Sequence, residues 1–232
     1  MRDIPTHYCP GCGHGVAHRL VCEVVDELDI REKVIGVTPI GCAVIAYDYW
    51  DFDCCEAAHG RALAVATGIK RMRPQNLVFT YQGDGDLAAI GCAETIHAAN
   101  RGENLTVIFI NNAVYGMTGG QMAPTTLLNQ KTATTPLGRC AKLEGYPLKI
   151  SELLSCLPGV YSIERVSTDS PAKVLSAKKA IKQAFVNQME GKGFSLVEIL
   201  SACPTYWGLK PIDSVKWIAE TMTKEFPLGR IK

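Results

Sequence analysis

Two short polar segments carry the residue types that hold a hard cation. The segment 82–86 reads Gln-Gly-Asp-Gly-Asp, and an Asn-Asn pair stands at 111–112; each follows an apolar run typical of a buried strand. If the two strands are neighbours in a parallel sheet, Asp84 and Asn112 leave its carboxyl edge together, where open α/β sheets bind ligands. A carboxylate and an amide, with other positions left for water and phosphate oxygens, are typical Mg²⁺ ligands. The pattern predicts a site for a magnesium-bound diphosphate.

The same glycines also fit a dinucleotide-binding fingerprint. Residues 83–88 match G-x-G-x-x-A, and Glu103 lies where a ribose-binding acid is expected. That fingerprint rests a bare pyrophosphate on a helix N-terminus, and two aspartates in the loop would repel it. It also gives the Asn-Asn pair no role. The magnesium-diphosphate interpretation is therefore favoured.

Four of the ten cysteines are expected to converge on the same edge. Cys9 and Cys12 form a C-x-x-C knuckle, Cys42 follows a strand predicted at 33–38, and Cys203 follows one predicted at 194–200. Four thiolates suit either structural zinc or a [4Fe–4S] cluster. Cys203-Pro204 resembles the end of ferredoxin cluster motifs, yet the residues alone leave both metals open.

The other six cysteines are given lesser roles. Cys54 and Cys55 could replace Cys42 as a ligand, but adjacent cysteines rarely hold one metal, and this pair is predicted to precede a helix; Cys42 is retained. The remaining four are interpreted as packing residues: Cys22, Cys92, Cys140 and Cys156.

Composition sets the class of protein. The chain has 232 residues, 47% hydrophobic and 20% charged, with a formal net charge of +1. These values predict one globular domain without a nucleic-acid partner. No apolar run approaches the ~20 residues that span a bilayer, and the first residues lack the apolar region of a signal peptide. A cytoplasmic protein with no membrane partner is expected.

Strand and helix patterns alternate along most of the chain. Strands are predicted at 33–38, 77–82, 105–111, near 160–163 and at 194–200, and helices at 15–28, about 57–72, 87–100 and 172–190. Residues 39–56 are predicted as a loop, and 114–149 as an irregular, functional segment. Alternating βα units predict an α/β fold with a doubly wound, mostly parallel sheet.

With these residues in hand, the chain resembles the β subunit of the 2-oxoacid:ferredoxin oxidoreductases, which binds thiamine diphosphate. The resemblance covers nearly the whole chain, and its motifs are specific in combination. They are YCPGCG at 8–13, PIGC at 39–42, HGRA at 59–62, GDGD at 83–86, NAVYGMT at 112–118 and CPT at 203–205.

The resemblance implies a set of site residues within a single domain, 1–232. Asp84, Asn112 and the Val114 carbonyl would hold Mg²⁺, and His59 would be a catalytic residue near the reactive end of the cofactor. The thiamine diphosphate would contact Ile40, Gly41, Cys42, Ala43, His59, Gly83, Asp84, Gly85, Asp86, Asn112, Val114, Tyr115, Gly116, Met117 and Thr118. The four-cysteine site becomes a [4Fe–4S] cluster held by Cys9, Cys12, Cys42 and Cys203, in the N-terminal loop and near residue 203.

The implied activity is oxidative decarboxylation of a 2-oxoacid to acyl-coenzyme A and CO₂, with single electrons passing through the cluster to ferredoxin. The implied partners are an α subunit that supplies a glutamate to the cofactor, and γ and ferredoxin-like δ subunits. Gly119 stands where several relatives have lysine, Ala43 replaces a common serine, and residues 118–121 resemble the 2-oxoisovalerate type. The alternative is a non-redox thiamine decarboxylase subunit with structural zinc.

Overall fold

A computed structural model describes residues 1–232, and its seven strands form one sheet in the order β2-β1-β3-β4-β6-β5-β7. In chain order the strands are β1 Val34–Pro39, β2 Asp53–Ala57, β3 Leu77–Gly83, β4 Thr106–Asn111, β5 Val160–Ser167, β6 Phe194–Leu200 and β7 Gly229–Arg230. All neighbouring pairs are parallel except β5 with β7, which is antiparallel.

Nine α-helices accompany the sheet. They are α1 Gly13–Glu27, α2 Ala62–Met72, α3 Cys92–Asn100, α4 Ala141–Glu144, α5 Ile150–Ser155, α6 Pro171–Met189, α7 Pro204–Trp207, α8 Pro211–Trp217 and α9 Thr223–Glu225. None of them combines the length and the apolar character that crossing a membrane requires.

Alternate residues of the central strands face two separate cores. Ile108 and Ile110 of β4 pack with α1 and α6, whereas Val107 and Phe109 pack with α2, α3 and α5. Both β4 and β6 are buried along their whole length. This burial explains why they read as continuous apolar runs, since a parallel sheet is covered by helices on both faces. The predicted doubly wound, mostly parallel sheet is confirmed.

A third, smaller core lies beneath the end of β4. The C-terminal residues Ile218, Met222 and Phe226 are buried there against Ala113 and Leu127. No element after Pro204 is predicted from the sequence. The longest helical stretch there, residues 211–225, is interrupted by a π-helical segment at Ile218–Met222, which breaks the 3.6-residue spacing by which helices are recognised.

Two predicted boundaries are wrong. The expected loop at 39–56 runs into β2, and the following helix begins at Ala62 rather than near residue 57. Strand β2 escapes prediction because it is a half-exposed edge strand with no continuous apolar run. Cys54 and Cys55 therefore lie within a strand, not in the approach to a helix.

The predicted helix at 87–100 is also divided. A π-helical turn, Asp86–Ile90, precedes α3, and Gly91 N donates to Asp86 O at 2.8 Å. A side chain at Gly91 would overlap Asp86 O and crowd Gly60, so only glycine lets these segments meet. Two cysteines are misassigned as well: Cys140 and Cys156 are exposed and fill no core.

Candidate functional site

The carboxyl ends of β3 and β4 bring the predicted cation ligands together. The strands are adjacent and parallel, with Gly83 opposite Ile110, so Asp84 and Asn112 emerge at the same edge of the sheet. Both line a single cavity of about 120 Å³. This juxtaposition is the arrangement that the magnesium-diphosphate interpretation requires.

All fifteen residues expected to contact the thiamine cofactor line this cavity. The cavity is bounded by Ile40, Gly41, Cys42, Ala43, His59, Gly83, Asp84, Gly85, Asp86, Asn112, Val114, Tyr115, Gly116, Met117 and Thr118, joined by Pro39 and His14. His14 is not among the residues expected to contact the cofactor, so its place in the cavity wall is a new finding.

Asp84 is buried at the floor of the cavity and is held by three donors. One carboxylate oxygen accepts from Gly85 N at 2.9 Å, and the other accepts from Val114 N at 3.2 Å and Thr125 Oγ1 at 2.8 Å. Burial raises the pKa of Asp84 to about 7, against the lowering effect of these hydrogen bonds. A bound divalent cation would favour the ionised form.

The donor set fits magnesium. It offers the Asp84 carboxylate, the Asn112 side chain and the Val114 carbonyl, and no second carboxylate completes a protein cage. Mg²⁺ is commonly bound through one or two carboxylates together with water and substrate phosphates. Thr125 was missed from the sequence, because nothing local marks one threonine of the irregular segment as a partner of Asp84.

The loop glycine Gly85 makes room for an aromatic wall. A Cβ at this position would overlap the ring of Tyr115, which lines the same cavity. Gly85 is thus required by close approach, since its backbone lies in the ordinary helical region (φ −64°).

Gly85→Ala should displace the Tyr115 ring and weaken thiamine diphosphate binding by about tenfold, because overpacking of this kind typically costs ~1–3 kcal/mol. Calorimetric titration with saturating Mg²⁺ measures the change. Gly68→Ala is the matched control, because a Cβ at Gly68 would meet nothing within 4 Å; equal affinities for the two variants would contradict the proposed close packing.

Asp86 faces His59 rather than the cation ligands. Its carboxylate accepts from Gly60 N and from Gln82 Nε2, each at 2.5 Å, and lies 2.9 Å from His59 Nδ1. Burial raises the pKa of Asp86. A carboxylate at this distance favours the tautomer with the proton on Nδ1 of His59, in which Nε2 is the unprotonated nitrogen.

A second cavity, of about 200 Å³, is lined by the four predicted cysteines. Cys9, Cys12, Cys42 and Cys203 all contribute to its wall. The knuckle is docked by Gly13, whose N–H donates to Ala202 O at 3.0 Å. This contact brings the N-terminal loop next to Cys203, as the sequence predicts.

The two cavities share part of one wall. Cys42, Asn112, Gly116 and Met117 line both. A methyl group placed on Gly116 would lie 3.1 Å from Cys42 Sγ and 3.9 Å from Asn112 Nδ2. A group held by the cysteines would therefore lie directly beside the turn at residues 112–114, which carries two of the predicted cation ligands and is called the cation-binding turn below.

Four thiols around one cavity suit two kinds of group. They could hold a tetrahedral zinc ion, with Zn–S bonds of about 2.3 Å, or a [4Fe–4S] cluster. The residues that line the cavity are compatible with both.

Three thiols of this cavity are held in the protonated form. Burial, with a smaller contribution from neighbouring thiols, raises the pKa of Cys12 to about 11 and those of Cys42 and Cys203 to about 12. A coordinated metal deprotonates a thiol outright. Cys54 and Cys55 line neither cavity, so the structure offers no ground for replacing Cys42.

His14 enters the cofactor cavity as a neutral side chain. Its Nδ1 lies 3.1 Å from Tyr81 Oη, and its ring stacks on Tyr8 at 5.2 Å. Burial lowers the pKa of His14 to about 4. His14 lies in the first turn of α1, which begins at Gly13, and this turn is next to the carboxyl edge of the sheet.

Comparison with known proteins gives consistent relationships. Residues 40–199 match the family described as thiamine pyrophosphate enzyme, C-terminal TPP binding domain. Ketoisovalerate oxidoreductase subunit VorA of Methanothermobacter thermautotrophicus is 52% identical over 227 residues, covering 98% of this chain and 48% of the relative. The chain thus spans about half the length of that relative.

A shorter relative matches over most of its length. The 2-oxoglutarate synthase subunit KorB of Archaeoglobus fulgidus is 38% identical over 221 residues, which cover 95% of this chain and 78% of the relative. Among solved structures, a 2-oxoglutarate:ferredoxin oxidoreductase from Magnetococcus marinus superposes with a TM-score of 0.79 and 31% identity, covering 94% of this chain and 70% of its own. The chain belongs to the thiamine-diphosphate-binding β subunits of the 2-oxoacid:ferredoxin oxidoreductases.

Proposed function

We propose that this chain, acting as a single domain, carries the cofactor site of an oxidative 2-oxoacid decarboxylase. The overall reaction converts a 2-oxoacid, coenzyme A and two oxidised ferredoxins into acyl-coenzyme A, CO₂, two reduced ferredoxins and one proton. The observation that carries the proposal is the wall shared by the cofactor and cysteine cavities. Adjacent sites allow electrons to leave singly from the reacting centre, without a hydride acceptor.

The chain's residues would hold two groups in these cavities. Asp84, Asn112 and the Val114 carbonyl would bind Mg²⁺, and the ion would anchor the diphosphate of the thiamine cofactor. When bound, thiamine diphosphate supplies the nucleophilic carbon and the electron sink for loss of CO₂. Cys9, Cys12, Cys42 and Cys203 would hold a [4Fe–4S] cluster across the shared wall.

The remaining residues of the cavity shape the reaction. Asp86 holds the His59 ring in one orientation, so that its free Nε2 can exchange a proton near the substrate. His14 presents a neutral ring to a region that burial keeps poor in water. Ala43 and Met117 add apolar surface, which favours a decarboxylation that neutralises charge.

A partner must complete the site. The only carboxylates lining the cavity are Asp84 and Asp86, and no glutamate is among the lining residues. The glutamate expected against the cofactor's aminopyrimidine ring is therefore assigned to an α subunit, with γ and ferredoxin-like δ subunits completing the complex. This assignment predicts that the chain is inactive by itself.

The substrate is proposed to be a branched-chain 2-oxoacid. The loop at 118–121 closes on itself: Thr118 Oγ1 donates to Gln121 Oε1 at 2.6 Å, and Gln121 Nε2 donates to Thr118 O at 2.8 Å. Gly119 has φ 119°, which disfavours a lysine there. The similarity to the ketoisovalerate oxidoreductase subunit supports the same choice.

The co-purified complex should oxidise 2-oxoisovalerate with coenzyme A at least tenfold more efficiently than 2-oxoglutarate, as measured by kcat/KM with reduction of ferredoxin under anaerobic conditions. The chain without partner subunits should give no turnover. A complex that releases CO₂ and aldehyde without reducing ferredoxin would instead indicate the non-redox decarboxylase.

The cluster is tested by substitution at the shared wall. Cys42→Ser should lose most of the bound iron and sulfide and the visible absorbance that dithionite bleaches, because serine does not replace a soft thiolate well. Cys54→Ser is the matched control, since Cys54 lies on β2 outside both cavities. Stoichiometric zinc in place of iron, or iron lost only from the Cys54 variant, would overturn the assignment.

A further inference from the structure

The turn after β4 carries two of the proposed Mg²⁺ ligands on a backbone that alanine disfavours. Ala113, between Asn112 and Val114, has φ 57° and is fully buried. Residues with a Cβ seldom adopt this left-handed conformation. The turn must therefore be held in place by its surroundings.

Side chains from the irregular segment hold the middle of this turn. The Ala113 carbonyl accepts from Thr126 Oγ1 at 2.7 Å and from Gln130 Nε2 at 3.0 Å. The Ala113 N–H donates to Asn111 Oδ1 at 3.2 Å. Both polar groups of the disfavoured residue are thus occupied.

The C-terminal segment 204–228 reaches the same turn from the other side. Trp207 Nε1 donates to the carbonyl of Asn112 at 2.9 Å, and the Trp207 ring packs 4.3 Å from that of Trp217. The third core places Ile218 and Met222 against Ala113. A hydrogen bond and an apolar contact from one segment therefore meet at the cation-binding turn.

A buried network of hydrogen bonds and one ion pair also connects the C-terminal segment 204–228 to the end of β4. Asn111 Nδ2 donates to Glu198 Oε1 at 2.8 Å, and Arg165 Nε donates to Glu198 Oε2 at 2.8 Å. Arg165 Nη1 also donates to Pro227 O at 3.1 Å, and its guanidinium lies 5.4 Å from the Phe226 ring centroid. The C-terminal segment is thereby connected to Asn111.

We infer that Trp207 is a positioning residue for the magnesium site, and that the C-terminal segment 204–228 buttresses the turn that presents Asn112 and Val114. Trp207 acts through the Asn112 backbone and lies outside the lining of the cofactor cavity. The inference rests on the proposed function only in assigning Mg²⁺ to this turn.

The test is Trp207→Phe in the co-purified complex. The substitution keeps an aromatic ring beside Trp217 and removes the N–H donor. The Mg²⁺ concentration that half-saturates thiamine diphosphate binding should rise about fivefold, because the loss of one neutral hydrogen bond typically weakens an equilibrium by about that factor. Excess Mg²⁺ should restore full binding, which it would not do for a misfolded site.

Trp217→Phe is the matched control, because it removes an indole from the same aromatic pair without touching the turn. Its Mg²⁺ requirement should equal that of the unsubstituted complex. Equal Mg²⁺ requirements for the two variants would overturn the positioning role. If the unsubstituted complex binds thiamine diphosphate without any Mg²⁺ dependence, the proposed cation site itself fails, a result separable from failure of the Trp207 inference.

Discussion

Replacing Asp84 with asparagine should lower the Mg²⁺-dependent affinity for thiamine diphosphate by about 100-fold, equivalent to ~2.8 kcal/mol. Asp84 is the sole carboxylate of the proposed donor set, so the variant leaves the ion with neutral protein ligands only. Mg²⁺ is a hard cation and sheds its water reluctantly. Asparagine preserves the size of the side chain and an oxygen that can accept from Thr125, so the fold should survive.

The affinity is measured by calorimetric titration of the complex with thiamine diphosphate, with and without Mg²⁺, while circular dichroism verifies folding. Glu103→Gln is the control, since Glu103 is another largely buried carboxylate, paired with Arg71 at 2.5 Å and Arg101 at 2.7 Å. It precedes β4 at the opposite edge of the sheet. Unchanged affinity in the Asp84 variant would refute the cation site.

The position of Glu103 also decides the dinucleotide alternative. A ribose-binding acid belongs at the carboxyl edge, near the glycine loop. Glu103 instead lies before the start of β4 and is held by two arginines. The match to the dinucleotide fingerprint at residues 83–88 is therefore coincidental. Glu103, the expected ribose-binding acid, lies at the opposite edge of the sheet from the glycine loop.

Much of the site was predictable because its residues follow strands. Asp84, Asn112 and Cys203 come directly after apolar runs, and parallel strands bring their carboxyl ends to one edge whatever the helices do. That geometry needs only the order of strands, which alternating βα units imply. The C-x-x-C knuckle was locally recognisable, although its docking beside Cys203 depends on Gly13.

The parts that escaped prediction depend on contacts between distant residues. Thr125 and Trp207 act through hydrogen bonds across 41 and 95 positions in sequence, and neither carries a local pattern. Strand β2 exists because it pairs with β1 along an edge, not because its own residues favour a strand. The helix predicted at 87–100 is divided at Gly91 because Gly91 packs closely against Gly60. The spacing of apolar residues gives no sign of that contact.

Arg165→Leu should destabilise the fold by about 3–5 kcal/mol, the usual cost of leaving a buried charge without its partner. Arg165 and Glu198 are each 1% exposed and lie on neighbouring strands. Removing the guanidinium leaves the Glu198 carboxylate buried, with only Ser151 Oγ and Asn111 Nδ2 as donors. Urea denaturation, read as a shift in the midpoint at constant slope, measures the loss.

The surface pair formed by Lys182 and Glu27 supplies the contrast. Both side chains are about 40% exposed, so Lys182→Leu should change the free energy of unfolding by less than ~1 kcal/mol.

A second leucine, in Arg165→Leu/Glu198→Leu, should recover part of the stability that Arg165→Leu loses, since an apolar pair can replace a buried ion pair. Thiamine diphosphate binding should weaken in this double variant but not in Arg165→Leu, because only the double variant removes the carboxylate that accepts from Asn111 Nδ2. Recovered stability together with weakened binding would separate the structural role of the ion pair from the effect of Glu198 on the cation-binding turn. Unchanged binding in the double variant would show that Asn111 needs no such support.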